Sequence, residues 1–293
     1  MSPSNKQKIR IVCISDTHNH KPGQGFTLPA GDILIHAGDL TNQGSHAELH
    51  KAFEWLSKTD FAAKVAVAGN HDLGLDPNYE LKYHTGWRVE VEDPTKCRAV
   101  LQEHQGITYL EHSSTTVSLP GKDCQLKIFG SPQSADRGNQ NWAFQYDEEQ
   151  AKTLWDAIAS ETDILITHTP PAGHCDTSTH WKSGGCPALK QTLWRVRPLI
   201  HICGHCHEGR GAEVIRWSDE NEGEGEVIWT WTDPGHGNKK QSLLDLTGSR
   251  GGWSLRAGSE TAVVNASVMA GSFGRGGKRF NKPIAIDIEV PAG

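Results

Sequence analysis

Five separated apolar runs in this chain each break off into residues that bind metals. Residues 9–15 lead into Asp16-Thr17-His18, 32–37 into Gly38-Asp39, 65–68 into Gly69-Asn70-His71-Asp72, 163–167 into His168, and 199–203 into Gly204-His205-Cys206-His207. The runs are short and rich in β-branched residues, as buried strands are. In open α/β sheets, ligands collect beyond the carboxyl ends of such strands. Any one of these pieces is common by chance, because a strand-end histidine is usually a hydrogen-bonded core residue. Five in series point to one shared site for two metals, since divalent cations of hard or borderline character take carboxylate oxygen and imidazole nitrogen.

The segments between them give the rest of the fold class. Ser45-His46-Ala47-Glu48 is a capping box ahead of Leu49, Phe53 and Leu56 on one helical face, and residues 147–150 open a second helix through Leu154 and Ile158. Residues 107–110, 115–119 and 125–130 read as strands, with Gly121-Lys122-Asp123 as a hairpin tip. The expectation is an α/β fold: a layered α/β sandwich of two mainly mixed β-sheets flanked by helices, with the metal site at one edge. All 293 residues are expected to form a single domain around one extensive core.

Composition narrows the partners. A formal net charge of -6 provides no global basic field, so stable nucleic-acid binding is not expected. Residues 1–8 are polar, and no apolar run approaches the roughly 18 residues that span a bilayer, so a cytoplasmic protein with no membrane partner is expected. The seven cysteines are scattered and odd in number, which argues for reduced thiols. Cys203 and Cys206 have C-x-x-C spacing but no second pair, and read as packing residues.

The order and spelling of the motifs resemble the calcineurin-like metallophosphoesterase superfamily, and from about residue 9 to 290 the chain is similar to its branch of metallophosphoesterase-domain-containing proteins. The resemblance implies that Asp39 bridges two divalent transition metals (Mn, Fe or Zn). Asp16, His18 and His207 would complete the first metal's ligands, and Asn70, His168 and His205 the second's. It implies a metal-bridging hydroxide as nucleophile, His71 as the catalytic donor to the leaving oxygen, and Asp72 as its orienting partner. The implied substrate is a small phosphodiester such as a cyclic nucleotide, with Asn265 contacting the nucleotide. Trp142, Trp181, Trp229 and Trp231 are available to stack a base. The resemblance also implies that animal brain members carry Gly at the position of His205 and are attenuated, so the complete ligand set here favours an active enzyme.

Two stretches depart from the family pattern. Residues 218–259 look inserted and read either as an active-site wall or as an exposed hairpin. Residues 272–282 gather Arg275, Lys278, Arg279 and Lys282 among glycines, as a phosphate-steering lip or a solvated loop. Two other functions stay open at this level: a metalloenzyme repurposed for hydrolytic or oxidative conversion of a non-phosphate metabolite, and a weakly active nucleotide-binding protein.

Overall fold

Two twisted sheets face one another in the computed structural model, which describes residues 6–79, 92–138, 142–182, 184–249, 251–271 and 279–292. In the first sheet β1 (Lys6–Ile14), β2 (Ile33–Ala37), β3 (Ala63–Val67) and β4 (Thr108–Tyr109) lie parallel; β15 (Ile284–Pro291) pairs antiparallel with β1, and β13 (Ser242–Asp245) edges it. In the second, β9 (Ile164–Thr167), β10 (Ile200–Cys203) and β14 (Glu260–Asn265) run parallel beside β6 (Gln125–Ser131). That sheet is completed by antiparallel β5 (Ser113–Ser118) on one side and by β11 (Gly211–Trp217) and β12 (Gly225–Thr230) on the other. A two-stranded ribbon, β7 (Ser134–Ala135) with β8 (Gln145–Tyr146), stands apart.

The period of two along each strand assigns side chains to layers. Ile9, Ile11 and Cys13 of β1 point between the sheets and meet Ile164, Ile166, Ile200 and Ile202, whereas Val12 and Ile14 point outward. That outer face is covered by α1 (His46–Ser57) and α2 (Pro94–Glu103), through Leu49, Phe53, Leu56, Cys97 and Val100. The outer face of the second sheet is covered by α3 (Glu148–Asp156) and α4 (Pro187–Val196), through Trp155, Leu189 and Leu193. Each such side chain contributes about 1.5–3 kcal/mol on burial. Strands buried on both faces cannot alternate polar and apolar residues, which is why the motif runs are continuously hydrophobic.

The expected layered α/β sandwich is the fold observed. Both capping boxes form, at Ser45 and at Asp147, and Gly121 turns the β5–β6 hairpin with φ +75°. Residues 218–259 supply an edge strand to each sheet, β12 to one and β13 to the other. Trp229 stacks on Trp253 within that segment, and the Trp231 indole is buried and donates to the Leu243 carbonyl at 3.1 Å. Trp229 and Trp231 both pack with the core between the sheets, and Arg210 lies over the Trp231 ring. Lys282 caps the carbonyls of Gly235, Asn238 and Lys240, so it is a turn anchor rather than part of a phosphate lip. Arg275 and Lys278 lie outside the described residues. All seven cysteines are free, and no helix among the described residues is long and apolar enough to cross a membrane.

At the end of the sandwich away from the motifs, Arg10 and Asp287 face each other across β1 and β15 in a two-pronged pair of 2.6 and 2.8 Å, and Lys8 reaches the same carboxylate at 2.7 Å. Burial opposes ionisation of Asp287, but these donors hold its pKa below the usual carboxylate value. A depressed folded pKa contributes stability that is present above the unfolded value and is lost as pH falls through the folded one. Asp287→Asn should therefore destabilise the fold by about 2–3 kcal/mol at pH 7, less than the roughly 3–5 kcal/mol for breaking a wholly buried pair, because Lys8 and Arg10 stay within reach of water. In urea unfolding the gap between wild type and variant should begin to narrow only below about pH 4 and close as pH falls through the lower folded value; a gap that does not narrow at all down to about pH 2 would assign the effect to packing instead of charge.

Candidate metal centre

All five motif strands release the chain at the same edge of the sandwich. β1, β2 and β3 deliver Asp16 and His18, Asp39, and Asn70 and His71 from the first sheet; β9 and β10 deliver His168, and His205 and His207, from the second. The sheets meet there. Beyond β14, Ser267 bridges to Ser15 at the end of β1, the Ser15 N–H donates to Ala266, and the Val268 N–H donates to Ser15. The ligand loops leave the strands through strained turns: Asp16, His18, Asp39 and His205 have φ of +54°, +41°, +54° and +65°. L-residues in this region cost about 1–3 kcal/mol each and persist where their surroundings over-determine them, commonly at functional sites. The glycines in the motifs are explained by space. A Cβ on Gly38, itself at φ +97°, would enter the His168 ring, and one on Gly69 would enter the Asp39 carboxylate.

The predicted donor atoms converge. Asp16 Oδ1 lies 3.3 Å from His207 Nε2, which lies 3.4 Å from His18 Nε2. Asn70 Oδ1 sits between His168 Nε2 at 2.9 Å and His205 Nδ1 at 2.8 Å. Asp39 stands between these groups, with Oδ2 3.7 Å from His18 Nε2 and Oδ1 3.3 Å from His168 Nε2. Oxygen or nitrogen atoms of Asp16, Asp39 and His168 fall within 4.8 Å of one another, as do those of Asp16, His18 and His207. Seven predicted ligands therefore share one buried cleft.

Their surroundings prepare them to bind cations. Nδ1 of His18 donates to the Thr41 carbonyl at 3.2 Å and Nδ1 of His168 to the Ala37 carbonyl at 2.9 Å. A carbonyl can only accept, so in the neutral rings Nε2 is the accepting nitrogen and is turned into the cleft. His168 Nε2 then faces the acceptor oxygens of Asp39 and Asn70. These acceptors call for positive charge between them, which a proton on His168 or a bound cation supplies, and the carboxylate, imidazole and amide donors suit divalent transition cations. Burial opposes charge on Asp16 and Asp39, yet His207 and His168 respectively hold both carboxylates ionised, below the normal range. Burial also lowers His18 and His205, each to about 3, while Asp39 overcomes burial at His168 and raises it to about 9.

Behind the ligands the two sheets carry matching supports. His36 on β2 bonds the Thr17 hydroxyl at 2.9 Å, between Asp16 and His18, and that hydroxyl donates to the Leu40 carbonyl at 3.3 Å. His201 on β10 bonds the Thr167 hydroxyl at 2.7 Å, next to His168, and that hydroxyl donates to the Thr169 carbonyl at 2.5 Å. Each hydroxyl spends its proton on a carbonyl, so the histidine must donate from Nε2; both rings are fully buried and held near pKa 3 by burial. Nothing at sequence level separates these two from ordinary core histidines.

Three expectations need correction or refinement. Asp72 does not orient His71: its buried carboxylate accepts from Leu40 N, Thr41 N, the Thr41 hydroxyl and Gly69 N at 2.7–3.1 Å, tying the second motif loop to the third. Burial and the charge of Asp39 nevertheless raise Asp72 to about 7. His71 is oriented by the Asn42 carbonyl, 2.8 Å from Nδ1, and its N–H donates to Asp39 at 2.9 Å. Asn265 offers no face to a nucleotide: it is fully buried, its amide donates to the carbonyls of Cys175, Gly204 and Cys206, and its oxygen accepts from Ser267 N. Its short polar side chain clamps the loop that carries His205. Of the four tryptophans, Trp142 packs 4.1 Å from the His71 ring and Trp181 stacks on His205 at 5.2 Å, so these two flank the cleft.

A model of the family described as calcineurin-like phosphoesterase matches residues 9–209 of this chain. A protein of Emericella nidulans named probable rhamnogalacturonate lyase C is 43% identical over 211 residues, covering 71% of this chain and 18% of that protein. Human metallophosphoesterase domain-containing protein 1 is 34% identical over 210 residues, covering 69% of this chain and 61% of that protein. The chain thus spans less than two thirds of the length of either relative. Among solved structures, TT1561 of Thermus thermophilus has a TM-score of 0.45 at 16% identity, covering 71% of this chain and 84% of that one. With residues 9–209 matched, all five ligand-bearing strand ends included, the chain belongs to the calcineurin-like phosphoesterase family.

Proposed function

We propose that this chain is a dinuclear-metal phosphodiesterase for small substrates such as cyclic nucleotides. The observation that carries the reading is the position of Asp39, whose two oxygens face histidines from different sheets, His18 and His168. A carboxylate so placed suits a bridge between two cations, with Asp16, His18 and His207 holding one and Asn70, His168 and His205 the other. Bound there, divalent cations supply charge neutralisation at the phosphoryl oxygens and acidify water for in-line attack. Mn, Fe and Zn all suit this donor mixture.

The remaining groups position and protonate. His71 shares a group of donor atoms with His18 and Asp39, all within 4.8 Å, yet its backbone N–H is already on Asp39 and its Nδ1–H on Asn42. Its Nε2 is turned to the cleft, and in the doubly protonated ring it carries the proton given to the leaving oxygen. The Asn42 carbonyl fixes the ring plane, and Trp142 closes one side of it. Asp72 acts at one remove, by holding the Leu40–Thr41 and Gly69 backbone on which both Asp39 and Asn70 depend.

Elemental analysis of gently purified protein should give close to two transition metals per chain, and Asp39→Asn should lower that content together with turnover of a chromogenic phosphodiester. Full occupancy and normal turnover in the variant would remove Asp39 from the bridge. His71→Ala should keep its metal and lose roughly 100- to 1000-fold in kcat, the usual effect of deleting one transition-state donor. If metal is lost as steeply as activity, His71 holds metal rather than protons. Conversion of a non-phosphate metabolite, with no turnover of diesters or monoesters, would replace the phosphodiesterase reading with a repurposed metalloenzyme.

A further inference from the structure

A second set of metal-type donors lies on the outer helical layer, apart from the strand ends. His50 of α1 meets Glu103 and His104 at the C-terminal end of α2, and one ligand atom from each falls within 4.8 Å of the others. Packing of α1 on α2 makes this group, because more than fifty residues separate its parts in sequence. Leu49 and Phe53, on either side of His50, and Cys97 and Val100 of α2 are buried in one core cluster, which sets the helices in register. His104 caps α2 with its N–H on Val100 O at 3.3 Å, and its ring stands edge-on to His50 at 4.9 Å.

The polar atoms of this group are not consumed by the protein. His104 Nε2 is screened from water without a hydrogen-bond partner, and Glu103 forms no ion pair among the described residues. The nearby cation, Lys58, is already paired with Glu54 at 2.6 Å. Burial and the adjoining His50 lower the pKa of His104, which leaves its imidazole neutral and its lone pair free near pH 7. His46, one turn before His50 on α1, stands 6.4 Å from it and adds a further imidazole at the rim.

We propose that His50, Glu103 and His104 form a separate binding site for a divalent transition cation, zinc above all, with its remaining coordination open to water. Two imidazoles and one carboxylate are a donor set that zinc accepts. A cation here ties α1 to α2. Through Glu48, which holds Asn19 at 2.6 Å beside His18, α1 also braces the first ligand loop, so binding stiffens the layer above the centre without entering it.

Zinc titration of the full chain, already loaded at its strand-end centre, separates the two locations. Wild type should take up one zinc per chain more than the His50→Ala/His104→Ala double variant, and zinc should raise the Tm of wild type but not of the variant. Phosphodiester turnover and resident metal content should match between them, since none of the three residues touches the strand-end cleft. Glu103→Gln, which keeps both imidazoles, should weaken the extra site by at least the roughly 10- to 100-fold that loss of an outer-shell partner costs, and it serves should the double variant misfold. Equal zinc uptake and equal affinity in wild type and either variant would overturn the site.

Discussion

Two carboxylates brought together out of water set the terms for everything at the motif edge. Asp16 and Asp39 are buried, each 2% exposed or less, with oxygens within 4.8 Å of one another. Like charges so close in a poorly hydrated cleft repel strongly unless positive charge lies between them. The surrounding imidazoles answer part of that repulsion, which is why His168 is driven upward, while burial and the neighbouring imidazoles drive His18 and His205 down. Backbone strain, the glycine spacing and the carbonyls of Ala37 and Thr41 that orient the imidazoles all follow from holding these carboxylates in place.

The strands that carry the ligands are legible in the sequence because a strand buried on both faces has little freedom of composition. Each can be only apolar, and each has to stop where polar chemistry begins. The helices α1 and α3 are legible for a different reason: their capping boxes satisfy donors that every helix leaves open, so the signal is local. By contrast α4, which starts at Pro187, and the strands β14 and β15 carry no comparable local mark and gain their place from the sheets they join.

Side-chain direction is the least legible quantity. Asp72 and His71 are adjacent, and adjacency suggests partnership, but the turn between β3 and the following 3-10 helix sends one inward to backbone amides and the other to Asn42. Asn265 misleads in a similar way. Its polar group lies close to the cleft in sequence context yet serves three backbone carbonyls, because the loops after β9 and β10 leave carbonyls that something must satisfy. Trp142 and Trp181 differ from Trp229 and Trp231 only in what tertiary packing puts beside them.

The matched supports, His36 with Thr17 in one sheet and His201 with Thr167 in the other, make each half of the cleft rigid with respect to its own sheet. The remaining freedom is how one sheet seats on the other, and that is governed by side chains such as Ile11 and Ile202 in the shared core. Close-packed interiors pass strain along instead of absorbing it. Because each group of donors draws on both sheets, the spacing within each group gauges how the sheets dock, and a methylene removed deep in the sandwich is expressed as altered chemistry at its rim.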